Sequence, residues 1–234
     1  MEIRYHGHSC FEIVGNEGRL LIDPFLTGNP KADIKAEDIE ELDGILVSHG
    51  HADHLGDAIE ISKRTGAPII GVYELALLCE RAGAKTHAMH IGGKYQFGFG
   101  MVRLTQALHG SFFEVPESEN GFVYAGLACG FLLQMEGKWL YHAGDTGLFG
   151  DMELIGRRHP LELAMLPIGD NFVMGPEEAA YAATLLRAKR VIPMHYNTFP
   201  NIRQDEAEFT ELLNRKFPES QGIALKPGEV LRID

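Results

Sequence analysis

The residues best suited to bind metal or to catalyse a reaction are concentrated in one short segment, Ser48–His54. It reads Ser-His-Gly-His-Ala-Asp-His and holds four potential metal ligands, namely His49, His51, Asp53 and His54. Neutral imidazoles and a carboxylate suit zinc, manganese, iron or nickel. A solvated polar turn could contain the same residues by chance, but so dense a group of ligands favours a metal site.

Three further candidate ligands each follow a short apolar run that is typical of a buried strand. They are His109 after Val102–Leu108, Asp145 after Trp139–Tyr141 and His195 after Val191–Met194. Taken singly, each has an ordinary explanation: a histidine that caps a turn, an aspartate that caps a helix, and a hydrogen-bonded core histidine. As an ordered set behind His-X-His-X-Asp-His, they predict one site assembled at the ends of strands.

The elements that must position these residues alternate between apolar strands and helices, which indicates an α/β protein. The pattern predicts strands over Leu20–Ile22, Gly44–Val47, Pro68–Val72, Val102–Ala107, Gly130–Met135, Lys138–Tyr141, Leu163–Leu166 and Val191–Met194, with edge strands within Gly222–Ile233. It predicts helices over Asp57–Arg64, Glu74–Arg81, Pro176–Arg187 and Gln204–Lys216. Loops at the carboxyl ends of such strands can direct several side chains into one space, and open α/β sheets form their sites there.

Two parts of the chain resemble each other at a constant spacing. Glu17–Asp23 matches Glu136–His142, and Leu42–Val47 matches Leu161–Leu166, in both cases 119 residues apart (136 minus 17 and 161 minus 42). Chance similarity between strand–turn–strand units is the alternative. A true duplication predicts two similar β-rich halves that face each other.

Composition limits the class of protein. The chain has 234 residues, is 45% hydrophobic and carries a net charge of −12, which predicts one globular domain over residues 1–234. An acidic surface argues against nucleic acid as a partner, because phosphate binding needs a basic face. No apolar run reaches the ~18 residues of a membrane span, and Met1–Arg4 does not begin a signal peptide. The three scattered cysteines are typical of buried thiols in a cytoplasmic protein.

The whole set of motifs resembles the metallo-β-lactamase superfamily, and the resemblance covers essentially the entire chain. Gly7–Phe11, Ile22–Phe25 and His87–Gly93 narrow it to small metal-dependent hydrolases similar to the ascorbate-phosphate lactonases. This resemblance implies a four-layer αβ/βα sandwich, in which two facing mixed β-sheets are flanked by helices. The metals would lie at the edge between the sheets.

The resemblance also implies how the ligands divide. One metal ion would take His49, His51 and His109, the second would take Asp53, His54 and His195, and Asp145 would bridge them. Zinc is the first expectation for both ions, with manganese, nickel or iron as alternatives. Two such ions ~3.5–4 Å apart can hold a shared hydroxide as the nucleophile.

Residues beyond these seven are also candidates. His8 and Asp53 are the candidate catalytic residues. His8 could hydrogen-bond the substrate, protonate the leaving group or add a metal contact. The alternative is that His8 is an ordinary surface histidine. Asp23 could orient a ligand histidine. The roles of His90, His142 and Asn171 stay open. The loop 110–126 could cover the mouth of the pocket or pack against the body.

These observations predict a hydrolase that acts on a small ester, lactone or phosphate ester. A phosphodiesterase or nuclease using the same site is one alternative, and a metal-binding protein without catalysis is another. We expect a small-molecule substrate, no nucleic-acid or membrane partner, a cytoplasmic location and, as an option, a homo-oligomer.

Overall fold

The computed structural model describes residues 1–234 and contains two seven-stranded sheets and one separate hairpin. The first sheet has the spatial order β16 (Val230–Arg232), β1 (Glu2–Tyr5), β2 (Phe11–Gly15), β3 (Gly18–Ile22), β4 (Gly44–Leu46), β5 (Ile69–Val72) and β6 (Thr86–Met89). The second has the order β15 (Gln221–Gly222), β14 (Arg190–Met194), β13 (Leu161–Pro167), β12 (Lys138–His142), β11 (Cys129–Met135), β8 (Gly100–Gln106) and β7 (Lys94–Phe97). The hairpin pairs β9 (Phe112–Glu114) with β10 (Phe122–Tyr124).

Six helices complete the fold. They are α1 (Ala52–Leu55), α2 (Ala58–Thr65), α3 (Tyr73–Arg81), α4 (Met152–Arg158), α5 (Pro176–Leu186) and α6 (Glu206–Lys216). Helices α2 and α3 pack on the first sheet, whereas α5 and α6 pack on the second and α4 packs against α5. Each sheet is mixed, with antiparallel strands on one side and parallel strands on the other. The predicted architecture of two mixed sheets flanked by helices is therefore confirmed.

The two sheets repeat one pattern of strand pairing. In the first sheet β2–β3 is antiparallel and β3–β4–β5 is parallel, and the second repeats this order with β11–β12 and β12–β13–β14. The turns that join the antiparallel pairs touch each other, since the backbone N–H of Glu136 donates to the carboxylate of Glu17 at 3.0 Å. These two glutamates are the residues related by the spacing of 119, so the pairing agrees with a duplicated fold.

Every predicted strand and helix is present, with ends that differ by at most two residues from the expected bounds. The predicted edge strands of the tail are β15 and β16, one in each sheet. The sequence pattern did not predict β1, β2, β6, β7, β9, β10, α1 or α4. Strand β7 shows the reason, because its residues are mostly exposed and lack the apolar alternation of a half-buried strand.

The interior is apolar, and 58 buried hydrophobic residues form one cluster. Cys10, Cys79 and Cys129 are all buried and unpaired, as expected. Burial raises the pKa of Cys79 to about 12 and those of the other two thiols well above their usual value. No helix is long and apolar enough to cross a membrane.

Candidate metal centre

The predicted ligands come together where four strands end. The Ser48–His54 segment follows β4 and runs into the single turn of α1. His109 lies beyond β8, Asp145 beyond β12 and His195 directly beyond β14. Because β4 belongs to one sheet and the other three strands to the second, the cluster lies at the edge between the sheets.

The ligand atoms fall into three overlapping groups, in each of which all atoms lie within 4.8 Å of one another. The groups are His49, His51 and His109; His8, Asp53, His54 and His195; and His49, His54 and Asp145. The first group is the set expected for one metal ion. The second is the set expected for the other ion with His8 added.

Asp145 lies between the two sets. One carboxylate oxygen is 3.2 Å from Nε2 of His54. The other is 2.9 Å from Nε2 of His195 and 3.6 Å from Nε2 of His109. A carboxylate that contacts histidines of both sets has the position that a bridging ligand requires.

Several buried polar atoms in the cluster lack partners, and this tests whether the residues fit metal ions. Nε2 of His8, Nε2 of His54 and Oδ1 of Asp145 are buried, and although oppositely charged groups lie 3.2–3.3 Å away, none of these atoms has a partner in hydrogen-bond geometry. Burying such atoms unpaired is costly, so native proteins rarely leave them so. Their convergence fits bound cations, and an all nitrogen and oxygen donor set fits divalent metals such as zinc.

Asp23 orients one of these ligands from behind. Its Oδ2 lies 2.8 Å from Nδ1 of His54, and because a carboxylate only accepts, Nδ1 must carry the proton. The other nitrogen of His54, Nε2, faces Asp145 and is the one that a metal ion would take. Ser48 donates to Asp23 through both its backbone N–H, at 2.7 Å, and its hydroxyl, at 2.6 Å. Asp23 thus has the orienting contact that the sequence predicted.

Burial and neighbouring charges set the protonation states. Burial and the nearby His195 lower the pKa of His8 to about 4, and burial also lowers the pKa of His49. Burial raises the pKa of Asp145, but the charges of His195 and His54 outweigh it and hold that pKa well below its usual range. Burial lowers the pKa of His54, but the carboxylates beside it outweigh burial and hold that pKa well above its usual value. A metal ion at His54 would therefore replace a proton, because neutral imidazoles and ionised carboxylates are the forms that bind metal.

His8 is fully buried. Its Nδ1 lies 2.9 Å from Oγ1 of Thr198, and its Nε2 lies 3.3 Å from Oδ2 of Asp53. Its backbone oxygen accepts the N–H of His195 at 2.8 Å. Of the three roles considered for His8, this geometry favours a metal contact over proton donation to a leaving group, because His8 lies behind Asp53 and does not line the open cavity.

The backbone is strained at the same place. His8, Asp23 and His195 adopt left-handed conformations, with φ of 57°, 46° and 57°. Non-glycine residues rarely do so, and such strain is concentrated at functional sites.

An open cavity of about 320 Å³ lies over the ligands. It is lined by His51, Ala52, Asp53, His109, Phe112, Glu114, Asp145, Phe172 and His195. The β9–β10 hairpin forms one wall and packs directly on the metal-binding loop. A Cβ atom on Gly50 would overlap the carbonyl oxygen of Phe112, and the N–H of Gly50 donates to Ser111. Of the two options for loop 110–126, the hairpin shows features of both, because it lines the cavity and also packs against the body.

Other candidates lie outside the cavity. Nδ1 of His142 accepts the N–H of Gly144, and its Nε2 is 3.1 Å from the backbone oxygen of Ser9, which is a structural role. His90 stacks on Tyr73. Asn171 does not line the cavity, although its neighbour Phe172 does.

The sequence reading missed Glu114, Phe172 and Thr198. Thr198 could have been found as the third residue after His195, in the loop beyond a strand end. Phe172 directly follows Asn171, which is among the candidate residues of the sequence. Nothing in the sequence distinguishes Glu114 from the other glutamates of its loop.

Comparison with known proteins agrees with this geometry. Residues 18–196 match the family model of the β-lactamase superfamily domain. A metal-dependent hydrolase of the UPF0173 family from Desulfitobacterium hafniense is 72% identical, with 100% of this chain and 99% of the relative covered. One from Bacillus cytotoxicus is 52% identical, with both chains fully covered.

Solved structures show the same fold. Igni18, described as a novel metallo hydrolase from the archaeon Ignicoccus hospitalis, is 33% identical with a TM-score of 0.87, and the match covers 100% of this chain and 99% of Igni18. An isothiocyanate hydrolase from gut bacteria of Delia radicum has a TM-score of 0.78 at 20% identity, with 100% and 99% covered, which shows likeness of fold alone. The chain therefore belongs to the metallo-β-lactamase superfamily and, within it, to the UPF0173 family of metal-dependent hydrolases.

Proposed function

We propose that this hydrolase uses two divalent metal ions to cleave a small ester, lactone or phosphate ester. The observation that carries the proposal is the position of Asp145, whose two carboxylate oxygens contact histidines of both ligand sets. A single tetrahedral ion needs only about four ligands, whereas this cluster offers eight side chains.

Different residues of the chain would hold the two ions and orient their ligands. Two divalent ions at this site would supply an activated water molecule and polarise the oxygen of the group under attack. His49, His51 and His109 would hold one ion, while Asp53, His54 and His195, with His8, would hold the other. Asp23 holds a proton on Nδ1 of His54, so Nε2 is the nitrogen that would bind the ion.

Asp53 is the candidate catalytic residue that reaches the substrate. Its carboxylate is 29% exposed and lines the cavity, so it can also accept a proton from a reacting group. His8 lies against the same carboxylate from the buried side, so it would contact the second ion together with Asp53 and would not touch substrate. Zinc is the metal we propose first, with manganese, nickel and iron as alternatives.

A phosphodiesterase is the second candidate, because the same two ions could serve it. The net charge of −12 favours a small substrate over a polyanion such as nucleic acid.

Substrate preference separates the ester hydrolase from the phosphodiesterase. The measurement is kcat/KM of metal-loaded protein on lactones and carboxylic esters, compared with kcat/KM on bis(4-nitrophenyl) phosphate and short oligonucleotides. We expect esters or lactones to be turned over fastest, Asp145→Asn to lose at least about a hundredfold, and exposed Asp234→Asn to behave as wild type. A faster reaction with the phosphodiesters would contradict the proposal.

A further inference from the structure

The cavity over the ligands contains an acidic side chain that coordination of metal does not require. Glu114 ends strand β9 and lines the cavity with Phe112. Alternate residues of a strand point the same way, so Phe112 and Glu114 both face the cavity while Phe113 packs against the core. Strand alternation and the cavity lining therefore both place Glu114 in the wall of the cavity.

No positive side chain balances this carboxylate. The lining contains no lysine or arginine, and its only basic groups are the histidines His51, His109 and His195. All three belong to the ligand sets. The ion pairs around the cavity join ligand residues to one another and leave Glu114 unpaired.

The remaining wall is apolar. Phe112 packs on His51 with ring centroids 4.6 Å apart and on Phe122 at 5.2 Å. Phe172 lines the cavity and is half exposed. These rings offer contact to an apolar group but no hydrogen-bond donor, so a second anionic group on a substrate would lose water there without gaining a partner.

We infer that Glu114 and this aromatic wall select substrates that carry no anionic group outside the bond that is cleaved. The inference rests on the proposed function and narrows it: carboxylic esters or lactones with an uncharged remainder are favoured over phosphorylated or carboxylated ones. The metal ions attract the reacting group itself. A further carboxylate or phosphate would lie against Glu114 and be repelled.

Matched ester pairs test this on metal-loaded protein. The pair is 4-nitrophenyl hexanoate and mono-4-nitrophenyl adipate, which share a leaving group and differ by a terminal carboxylate. We expect wild type to prefer the uncharged ester by about tenfold or more in kcat/KM, and Glu114→Gln to reduce that preference by at least about threefold. Glu117→Gln is the control, because Glu117 is exposed like Glu114 and belongs to the same hairpin, but lies in its turn and outside the cavity.

A binding measurement makes the test independent of turnover. Hexanohydroxamate and adipic monohydroxamate, titrated calorimetrically into metal-loaded wild type, Glu114→Gln and Glu117→Gln, should show the same preference and the same loss of it in Glu114→Gln alone. Equal binding of both hydroxamates by wild type, or equal effects of the two substitutions, would overturn the inference. Failure to hydrolyse either ester, with the hydroxamate preference intact, would overturn the proposed function and leave the selectivity standing.

Discussion

Asp23 illustrates, at the scale of single residues, how a side chain outside the cavity controls a metal ligand. It accepts two hydrogen bonds from Ser48 and contacts Nδ1 of His54. This arrangement fixes the ring orientation of His54 and keeps a proton on Nδ1, so that Nε2 is the nitrogen that would bind metal. The sequence predicted that Asp23 could orient a ligand histidine, whereas the left-handed backbone of Asp23 has no signal in the sequence.

Replacing Asp23 with asparagine should weaken metal binding. The amide can still contact Nδ1 of His54, but it carries no charge and no longer accepts equally through two oxygens. We expect a loss of about 10–100-fold in metal affinity, measured by competition with a chromophoric chelator. Asp234→Asn, at the exposed terminus, is the control, and unchanged affinity in Asp23→Asn would show that Asp23 does not tune the site.

Asp145 and His109 should differ in how many ions they affect. Asp145 contacts histidines of both sets, whereas His109 belongs to one. After saturation with metal and removal of the excess, we expect Asp145→Ala to lose metal from both sites and His109→Ala to keep close to one ion per chain. Elemental analysis measures the number of metal ions bound per chain in each variant. Equal loss of a single ion in both variants would argue against a bridging carboxylate.

At the scale of elements, the sequence predicts those strands and helices whose own residues are sufficient to specify them. Strand β13 contains the apolar run Leu163–Leu166, and α5 begins with proline and two glutamates, so both are evident in the sequence. The hairpin β9–β10 is short and mixed in polarity. Its position is fixed by contact with Gly50, far away in the chain, which local patterns do not encode.

Gly50→Ala should displace this hairpin. The added Cβ would overlap the carbonyl oxygen of Phe112, and backbone cannot yield as a flexible side chain can. We expect a loss of about 1–3 kcal/mol in the free energy of unfolding and faster proteolysis in the turn 115–121. Gly110→Ala is the matched control, because a Cβ there meets nothing within 4 Å. Identical behaviour of the two variants would mean that the hairpin does not rest on Gly50.

At the scale of the whole molecule, the site joins the two halves of the fold. The ligands of Ser48–His54 follow a strand of the first sheet, whereas His109, Asp145 and His195 follow strands of the second. The motif His-X-His-X-Asp-His, followed by three ligands after later strands, made this set of ligands predictable from the sequence. The sequence left the role of His8 open, because its packing against Asp53, Thr198 and His195 depends on how the first residues of the chain meet the last third.

Because both halves contribute ligands, metal binding should stabilise the complete protein. A ligand at a hundred times its dissociation constant stabilises the folded state by about 2.7 kcal/mol. For a chain of this size, removing the ions should lower the unfolding midpoint by roughly 5–10 °C. Differential scanning calorimetry before and after dialysis against a chelator, with metal added back as control, measures this. An unchanged midpoint would indicate that the cluster does not hold metal between the sheets.

The central claim is that two metal ions at this site make an ester hydrolase. The most direct test is to add metal stepwise to chelator-stripped protein and to record bound equivalents and hydrolysis of 4-nitrophenyl hexanoate in the same samples. We predict that binding saturates at about two equivalents and that most of the activity appears as the second is bound. Saturation at one equivalent with full activity, or two bound equivalents without hydrolysis, would contradict the account.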